Sequence, residues 1–195
     1  GAGVPEPLLR LTPRELDVFT GLARGRSNAE IATALCISPH TARHHTERIM
    51  SKLGVRNIAI HKGLPFGPKS YEHSTCRDIG PIARRFPDMN FLIYHSGYVA
   101  GEKEGPYDPG RTDGVDSLIT SLKAAGVKRN ANVYAELGST WRFVSTRDPD
   151  SAAHLLGKLF RYVGEDNVLW GTDSIWYGSP QDQIQAFRTF QISEQ

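Results

Sequence analysis

Apolar positions along residues 1–57 recur every three or four residues and predict three helices. The first is expected from about residue 13 to 24, a short second one from 28 to near Cys36, and the third over 38–53. Each has a start signal: Thr12 and Ser27 open capping boxes, and Ser38 precedes a proline at the first helical position. Because only a few residues separate the second and third helices, this segment is predicted to be a helix-turn-helix.

The predicted third helix has one apolar and one polar, mostly basic face. Its inner positions are Ala42, Thr46, Ile49, Met50 and Leu53, and its outer positions are Arg43, His44, Glu47, Arg48 and Ser51. Such an outer face fits the major groove of DNA. The alternative is that Arg43 and Glu47 are an ordinary ion pair on a solvated helix, which the pair taken alone would favour.

From about residue 58 the pattern changes to short apolar runs that alternate with amphipathic stretches. Buried strands are predicted at 58–60, 90–94, 133–135 and 168–170, and helices near 76–86, 114–125, 151–163 and 179–190. This alternation predicts a parallel sheet. Four polar residues lie at the carboxyl ends of these strands, where catalytic and metal-binding groups collect in α/β folds: His61, His95, Glu136 and Asp173.

Composition adds limits to this picture. The chain has 195 residues, of which 39% are apolar and 23% charged, as in ordinary globular proteins. No apolar run approaches the roughly 18 residues of a membrane span and no signal peptide is recognisable, so a cytoplasmic protein without membrane contact is expected. Residues 1–57 carry eight basic against five acidic residues, which favours a polyanion partner. Cys36 and Cys76 lack a metal-type spacing and are expected to be reduced thiols.

Residues 11–57, LTPRELDVFTGLARGRSNAEIATALCISPHTARHHTERIMSKLGVRN, resemble the DNA-binding domain of the LuxR family of bacterial transcription regulators, also called GerE-type. The resemblance implies binding to double-stranded DNA. It places three residues against base edges: Arg43, His44 and Glu47. It places five others at or near phosphates: Ser38, Thr41, His45, Arg48 and Lys52. The chemistry suits these roles, since arginine bonds guanine, glutamate accepts from cytosine, and basic groups neutralise phosphate.

The motifs IHKG, FPDMNFLIYHSG, VYAELG and EDNVLWGTDS resemble the amidohydrolase-related family of metal-dependent hydrolases and decarboxylases, whose fold is a (β/α)8 barrel. The resemblance covers about residues 59–190 and makes the four strands the fifth to eighth of such a barrel. It implies that His61 and His95 help to hold a divalent metal or its substrate. It also implies that Asp173, a further metal candidate, activates metal-bound water as general base, and that Glu136 orients substrate.

Both resemblances come with departures. The LuxR family continues with a fourth, dimer-forming helix, whereas Gly63 and Pro65 would end a helix here after about one turn. Thr46 lies where the family usually has an aliphatic core residue, so its hydroxyl is expected to cost some stability unless it bonds back to the helix backbone. The barrel's first four strands and their His-x-His metal pair are absent from this sequence. We therefore expect at most weak binding of zinc or manganese, and no activity from a single chain.

The sequence thus predicts a mixed fold: an all-α, three-helix domain over 1–57, then a partial α/β barrel of four parallel βα units over 58–195. The leading hypothesis is a DNA-binding transcription regulator of LuxR type joined to an incomplete amidohydrolase-like domain. The alternative is a metal-dependent hydrolase or decarboxylase, and a third hypothesis is a fusion without joint function. The open sheet edges are a dimerisation or aggregation liability and allow a homodimer through the half barrel.

Overall fold

The computed structural model describes residues 5–64 and 74–192, and the chain divides into two compact units, residues 1–56 and 57–195. The division falls one residue before the predicted boundary. Asn57 belongs to the second unit because it already pairs with Asn90 at the start of a sheet. In the described parts of the chain, no helix is long and apolar enough to cross a membrane.

The first unit contains the three predicted helices: α1 Pro13–Ala23, α2 Asn28–Leu35 and α3 Pro39–Lys52. The capping boxes at Thr12 and Ser27 are both formed, and the Ser38 side chain accepts from the third residue of α3. A 3-10 turn, Glu6–Arg10, precedes them and was not predicted. The helices close around one small core of buried side chains: Leu11, Val18, Ile31, Ala32, Ala42 and Ile49.

The Thr46 hydroxyl on the inner face of α3 does bond back to its own helix. Its hydroxyl donates to the Ala42 carbonyl at 3.0 Å, four residues back along the helix, and lies 2.9 Å from Asn28 Oδ1. The hydroxyl is therefore satisfied inside the unit, which removes most of the cost of a polar atom at this position.

The second unit is built on a parallel sheet whose four strands pair in sequence order. The strands are β1 Asn57–His61, β2 Asn90–Tyr94, β3 Val133–Glu136 and β4 Val168–Leu169. The predicted parallel sheet is confirmed, and each predicted strand appears within a residue or two of its expected bounds. Residues 58–61 form a strand rather than a helical turn, whereas Pro65 lies outside the described residues.

The described residues of this unit also form six α-helices: α4 Ile79–Arg85, α5 Gly114–Ala125, α6 Gly138–Ser145, α7 Pro149–Tyr162, α8 Ser174–Tyr177 and α9 Gln181–Thr189. Two expectations need correction. The helix predicted near 76–86 begins only at Ile79, and α6 was missed because Gly138 and two β-branched residues weaken its local helix signal.

Among the described residues of the second unit, helices pack on one face of the sheet. Phe91, Ile93, Val133 and Ala135 are buried in a core with α5 and α7, which confirms buried strands in the centre of the sheet. On the opposite face Ala59, Leu92 and Tyr134 lie side by side in register, and none of the three is buried. We call this second face the open face. Edge strand β1 alternates exposed and half-buried residues, so the expectation that it is buried was wrong.

Candidate functional site

The outer face of α3 presents the base-contacting candidates. Arg43 and His44 are exposed, and Glu47 is half-buried. Arg43 Nε lies 3.4 Å from Glu47 Oε1. The surface ion pair, which was the alternative to a base-contacting role, is therefore present. An exposed pair of this spacing is worth only about 0.2–0.5 kcal/mol, which a base contact can readily replace.

The start of α3 carries two of the phosphate candidates. Ser38 Oγ accepts from the Thr41 backbone N–H at 3.0 Å and lies 2.8 Å from Thr41 Oγ1. These contacts fix the first turn of the helix while Ser38 itself stays exposed. An ordered helix start with hydroxyls at its surface is a suitable place for a phosphate oxygen.

The other basic candidates of α3 are held by a residue that sequence reasoning missed. Glu15 on α1 is 1% exposed, and its Oε2 accepts from Lys52 Nζ at 2.6 Å. Arg48 Nε lies 3.4 Å from Glu15 Oε1. The hydrogen bond from Lys52, helped by one from the Thr12 backbone, lowers the pKa of Glu15 to about 2. Glu15 thus links α1 to α3 through its contacts with Lys52 and Arg48. The Lys52 ammonium is already bonded to Glu15, so its first role is in this contact and not in binding a phosphate.

His45 is the phosphate candidate that the structure supports least. Its side chain is half-buried, and its Nδ1 is buried without a hydrogen-bond partner. Neighbouring His44 points to solvent instead. The adjacent histidines therefore lie in different environments, and His44 is the one that a ligand can reach.

The second candidate site is the row of polar residues at the carboxyl ends of the strands, which we call the strand-end cluster: His61, His95, Glu136 and Asp173. The rings of His61 and His95 meet edge to face with centroids 4.7 Å apart. His95 Nδ1 lies 3.7 Å from Asp173 Oδ2, and the His95 backbone N–H reaches Glu136 Oε2 at 3.4 Å. The sheet therefore brings together four side chains from across 113 residues of sequence, His61 to Asp173.

Backbone strain is concentrated at this cluster. His95, Ser96 and Asp173 have φ angles of 65°, 53° and 49°, a left-handed region that residues other than glycine seldom adopt. Surrounding contacts hold them there: Thr140 Oγ1 donates to the His95 carbonyl at 2.9 Å, and Ser96 Oγ donates to the Glu136 carbonyl at 2.9 Å. Strained residues of this kind gather at functional sites.

Burial sets the ionisation of the cluster. Burial and, to a smaller extent, His61 lower the pKa of His95 to about 4, although Asp173 opposes the shift. Burial also lowers the pKa of His61. Burial raises the pKa of Glu136 against two backbone hydrogen bonds that stabilise its charge. At neutral pH both imidazoles are neutral, the form that accepts a proton or a metal ion.

Ser139 is a member of this site that sequence reasoning missed. Its hydroxyl donates to Asp173 Oδ2 at 2.6 Å, and its backbone N–H donates to the same oxygen at 3.1 Å. Gly171 also borders the site, because a Cβ there would lie 1.7 Å from Glu136 Oε1 and would displace that carboxylate. No local sequence signal marks either residue, since both act through contacts set by the sheet.

A metal ion does not fit the cluster of one chain. A protein metal site takes three or four ligands that converge on one point. Among the described residues, no three histidine, cysteine, aspartate or glutamate side chains do so. Ser139 already engages Asp173 Oδ2. His95 Nδ1, however, is buried without a hydrogen-bond partner and is turned towards Asp173.

A cleft of about 710 Å3 lies elsewhere in the second unit, along α7. Tyr107, Tyr162 and Phe190 contribute to its walls, and His154 and Arg161 to its basic side. It contains none of the residues of the strand-end cluster.

Two family descriptions match the chain. The one for bacterial regulatory proteins of the luxR family matches residues 9–60, and the amidohydrolase one matches residues 38–192. The two matches overlap over 38–60, which contains α3 and most of β1. Both resemblances predicted from the motifs are thereby confirmed.

Individual relatives match parts of the chain. "Probable transcriptional regulatory protein SgaR" of Hyphomicrobium methylovorum is 37% identical over 35% of this chain and 32% of its own length. The nitrate/nitrite response regulator protein NarP of Escherichia coli is 46% identical over 27% and 24%. The chain thus spans about a quarter to a third of these curated relatives. A solved structure from Pseudomonas putida, "Putative 2-Pyrone-4,6-Dicarboxylic Acid Hydrolase", covers 74% of this chain and 59% of its own at 16% identity, with a TM-score of 0.41.

Proposed function

Since this chain belongs to the amidohydrolase family and carries a LuxR-type helix-turn-helix at residues 9–60, we propose that its first unit binds double-stranded DNA in a sequence-dependent way. The observation that supports the proposal most directly is that α3 has one buried apolar side and one exposed basic side. Its inner side, with Ala42 and Ile49, is buried against α1 and α2, while Arg43 and His44 stand exposed on the other side. The helix therefore packs with its apolar side inward and its basic side outward, the arrangement that a recognition helix needs to enter the major groove.

Arg43 is the residue through which we expect specificity to act. A bidentate contact from arginine to guanine is worth about 1–3 kcal/mol, several times more than the Glu47 ion pair that it would replace. Arg48 and Lys52 differ from it, because both lie against buried Glu15. They contribute positive potential near phosphates, while Lys52 also holds the unit together.

The test begins with selection of duplexes from a randomised library by the full chain, followed by fluorescence anisotropy on the selected duplex and on a scrambled one. Arg43→Ala should weaken binding to the selected duplex by roughly 5- to 150-fold. The matched control is Arg24→Ala, an exposed arginine at the end of α1. It should change the affinity by less than about twofold, as expected for the loss of a distant surface charge.

Salt titration separates base contacts from phosphate contacts. Arg48→Ala should make the slope of log affinity against log salt shallower by about 0.9, whereas a lost base contact should leave the slope nearly unchanged. The proposal fails if wild type binds the scrambled duplex as tightly as the selected one. It also fails if Arg43→Ala and Arg24→Ala weaken binding equally.

For the second unit we propose a homodimer through the half barrel. Within the described residues, the outer edges of β1 and β4 pair with no other strand. Ala59, Leu92 and Tyr134 of the open face are not buried, and Ile175 and Trp176, just beyond β4, are 86% and 74% exposed. Unpaired strand edges beside exposed apolar residues favour self-association. Two copies would carry two helix-turn-helix units, which raises affinity for DNA with paired half-sites.

Sedimentation velocity of the full chain at micromolar concentration tests this assembly. A dimer is expected, and the variant Ile175→Lys Trp176→Lys should shift it towards monomer because two charges replace the apolar patch. The matched control is Leu9→Lys, an apolar residue 68% exposed in the first unit. A wild-type monomer at all concentrations would rule out the homodimer without bearing on DNA binding by the first unit.

A further inference from the structure

The cleft along α7 has the size of a site for a small molecule. Its volume of about 710 Å3 lies within the range of roughly 300–1,000 Å3 that ligand pockets occupy. The residues that α7 contributes recur every three or four positions from Asp150 to Tyr162, so they share one side of the helix. The segments before α5 and after α9 add Tyr107 and Phe190. Three parts of the chain thus enclose the cleft.

Two tyrosines form an aromatic wall whose position is fixed before any ligand arrives. The ring centroids of Tyr107 and Tyr162 lie 5.1 Å apart. Lys123 Nζ lies over both rings, at 4.7 and 5.2 Å from the centroids, and Tyr107 Oη lies 3.1 Å from Thr120 Oγ1. A wall of fixed aromatic rings favours a ligand that is itself aromatic.

Gly157 lies in the middle of the cleft side of α7, and no contact within the described residues requires a glycine there. Its φ is not in the left-handed region, and a Cβ would meet no atom within 4 Å. A glycine inside a helix is nevertheless less stable than an alanine. Close approach of a ligand to the backbone is a physical reason for glycine at such a position.

The charges of the cleft favour a single anionic group. Arg161 and His154 are exposed, and no carboxylate of the described residues pairs with either. The Arg161 guanidinium lies 5.5 Å from the Tyr162 ring, so a cation stands beside the aromatic wall. Lys158 already bonds two buried carboxylates and is not available to a ligand. Asp150 lies eleven residues from Arg161, about 16 Å along the helix, and would repel a second anion at that end.

We propose that the cleft along α7 binds a planar aromatic molecule that carries one anionic group, a carboxylate or a phosphate. The ring lies against the backbone at Gly157 and beside Tyr107 and Tyr162, and the anionic group accepts from Arg161. Gly157 and Arg161 are about one turn apart on the same side of α7, about 6 Å along the axis, so a substituent of the ring reaches the guanidinium. An arginine fork bonds either group through two parallel hydrogen bonds.

Amide spectra of the full chain labelled with nitrogen-15 test the proposal with three probes. These are 2-naphthoate, adenosine 5′-monophosphate and, as the neutral control, 2-naphthalenemethanol. At least one of the two anions should shift the amide signals of Gly157 and Arg161, with a dissociation constant below about 1 mM. The neutral alcohol should bind at least about threefold more weakly than 2-naphthoate, because it lacks the charge that Arg161 recognises. The order of the two anions distinguishes a carboxylate ligand from a phosphate one.

Variants assign the binding to the cleft. Gly157→Leu fills the space against the backbone and should weaken binding of the anion at least about tenfold, while leucine is a good helix former. Arg161→Ala should weaken it about 3- to 10-fold, as expected for an exposed charge-assisted bond. Two exposed residues outside the cleft supply the controls, Ala124→Leu for size and Lys128→Ala for charge. Each should change the affinity by less than about twofold.

Tryptophan fluorescence checks folding of the variants, because all three tryptophans lie in the second unit. If Gly157→Leu does not fold, Gly157→Ala replaces it and should weaken binding at least about twofold, since its methyl group enters the same open space. The proposal is overturned if neither anion shifts these signals at about 5 mM. It is also overturned if the shifts lie at the strand-end cluster instead, or if Gly157→Leu folds and binds as wild type does. None of these outcomes bears on DNA binding or on the homodimer.

Discussion

Replacing Lys158 by methionine removes a cation that lies between two buried carboxylates of the second unit. Lys158 on α7 is 5% exposed, and its Nζ donates to Glu104 Oε2 and, at 2.9 Å, to Asp116 Oδ1. Glu104 and Asp116 are 3% and 1% exposed. Methionine fills a similar volume, so the perturbation is chiefly the loss of charge and not a cavity.

The expected cost follows from what each carboxylate retains. Removing one partner of a buried ion pair costs about 3–5 kcal/mol, because a buried charge is left uncompensated. Glu104 still accepts from the Val115 backbone N–H at 3.1 Å and has Arg111 Nη1 at 4.0 Å. Because this partial compensation remains, we expect the lower end of the range, a loss of about 3 kcal/mol in the free energy of unfolding.

Urea unfolding followed by tryptophan fluorescence measures this loss in the second unit alone. With a slope of about 2 kcal/mol per molar urea, the midpoint should fall by about 1.5 M. The control Lys128→Met removes an exposed lysine beyond α5 and should shift the midpoint by less than about 0.3 M.

A double-mutant cycle tests the stated cause. In a Glu104→Gln Asp116→Asn background, Lys158→Met should cost less than about 1 kcal/mol, because neutral amides no longer need the cation. The reasoning is refuted if Lys158→Met shifts the midpoint no more than the Lys128→Met control. It is also refuted if the loss is the same in the amide background.

Three further predictions follow from single contacts. The pKa of Glu15 is lowered from 4.5 to about 2, so the stability that its charge contributes is fully present above about pH 4.5 and is lost as the pH falls through 2. A carbon-13 titration of the Glu15 carboxyl should show a midpoint near pH 2, and Lys52→Ala should raise that midpoint. Gly80→Ala should destabilise the second unit by about 1–3 kcal/mol because its Cβ would lie 2.0 Å from a backbone oxygen of α5. Its control Gly157→Ala has open space around the new Cβ and should stabilise α7 by up to about 1 kcal/mol. The urea midpoints of the two variants measure the difference. Thr46→Val should cost about 1 kcal/mol because it removes the hydroxyl proton that the Ala42 carbonyl and Asn28 Oδ1 share; the loss of helical circular dichroism on heating measures it.

Short-range patterns in the sequence determined most of the secondary structure. Thr12 with Glu15 and Ser27 with Glu30 specify helix starts within four residues, and both capping boxes form as expected. The strands could be placed because each is a short apolar run bounded by turn residues. Helix α6 was missed because its local helix propensity is weak. Its stability comes from the burial of Trp141 and Val144 in the core.

The strand-end cluster was predictable in membership and not in geometry. Parallel strands put their carboxyl ends at one edge, so His61, His95, Glu136 and Asp173 could be grouped from sequence alone. Their distances, the left-handed backbone at His95 and Asp173, and the orienting contact from Ser139 depend on how the sheet and α6 pack. No pattern of residue types carries that information.

The sequence by itself determined where helices and strands lie, which face of α3 is basic, and which residues end the strands, because these follow from spacings of a few residues. The tertiary structure decided what those residues do for one another. Glu15 is both the glutamate of the capping box that starts α1 and the buried partner of Lys52, 37 positions away. The reason is physical: a charge becomes strongly coupled to another only when folding removes both from water, and the chain order does not show which charges will meet.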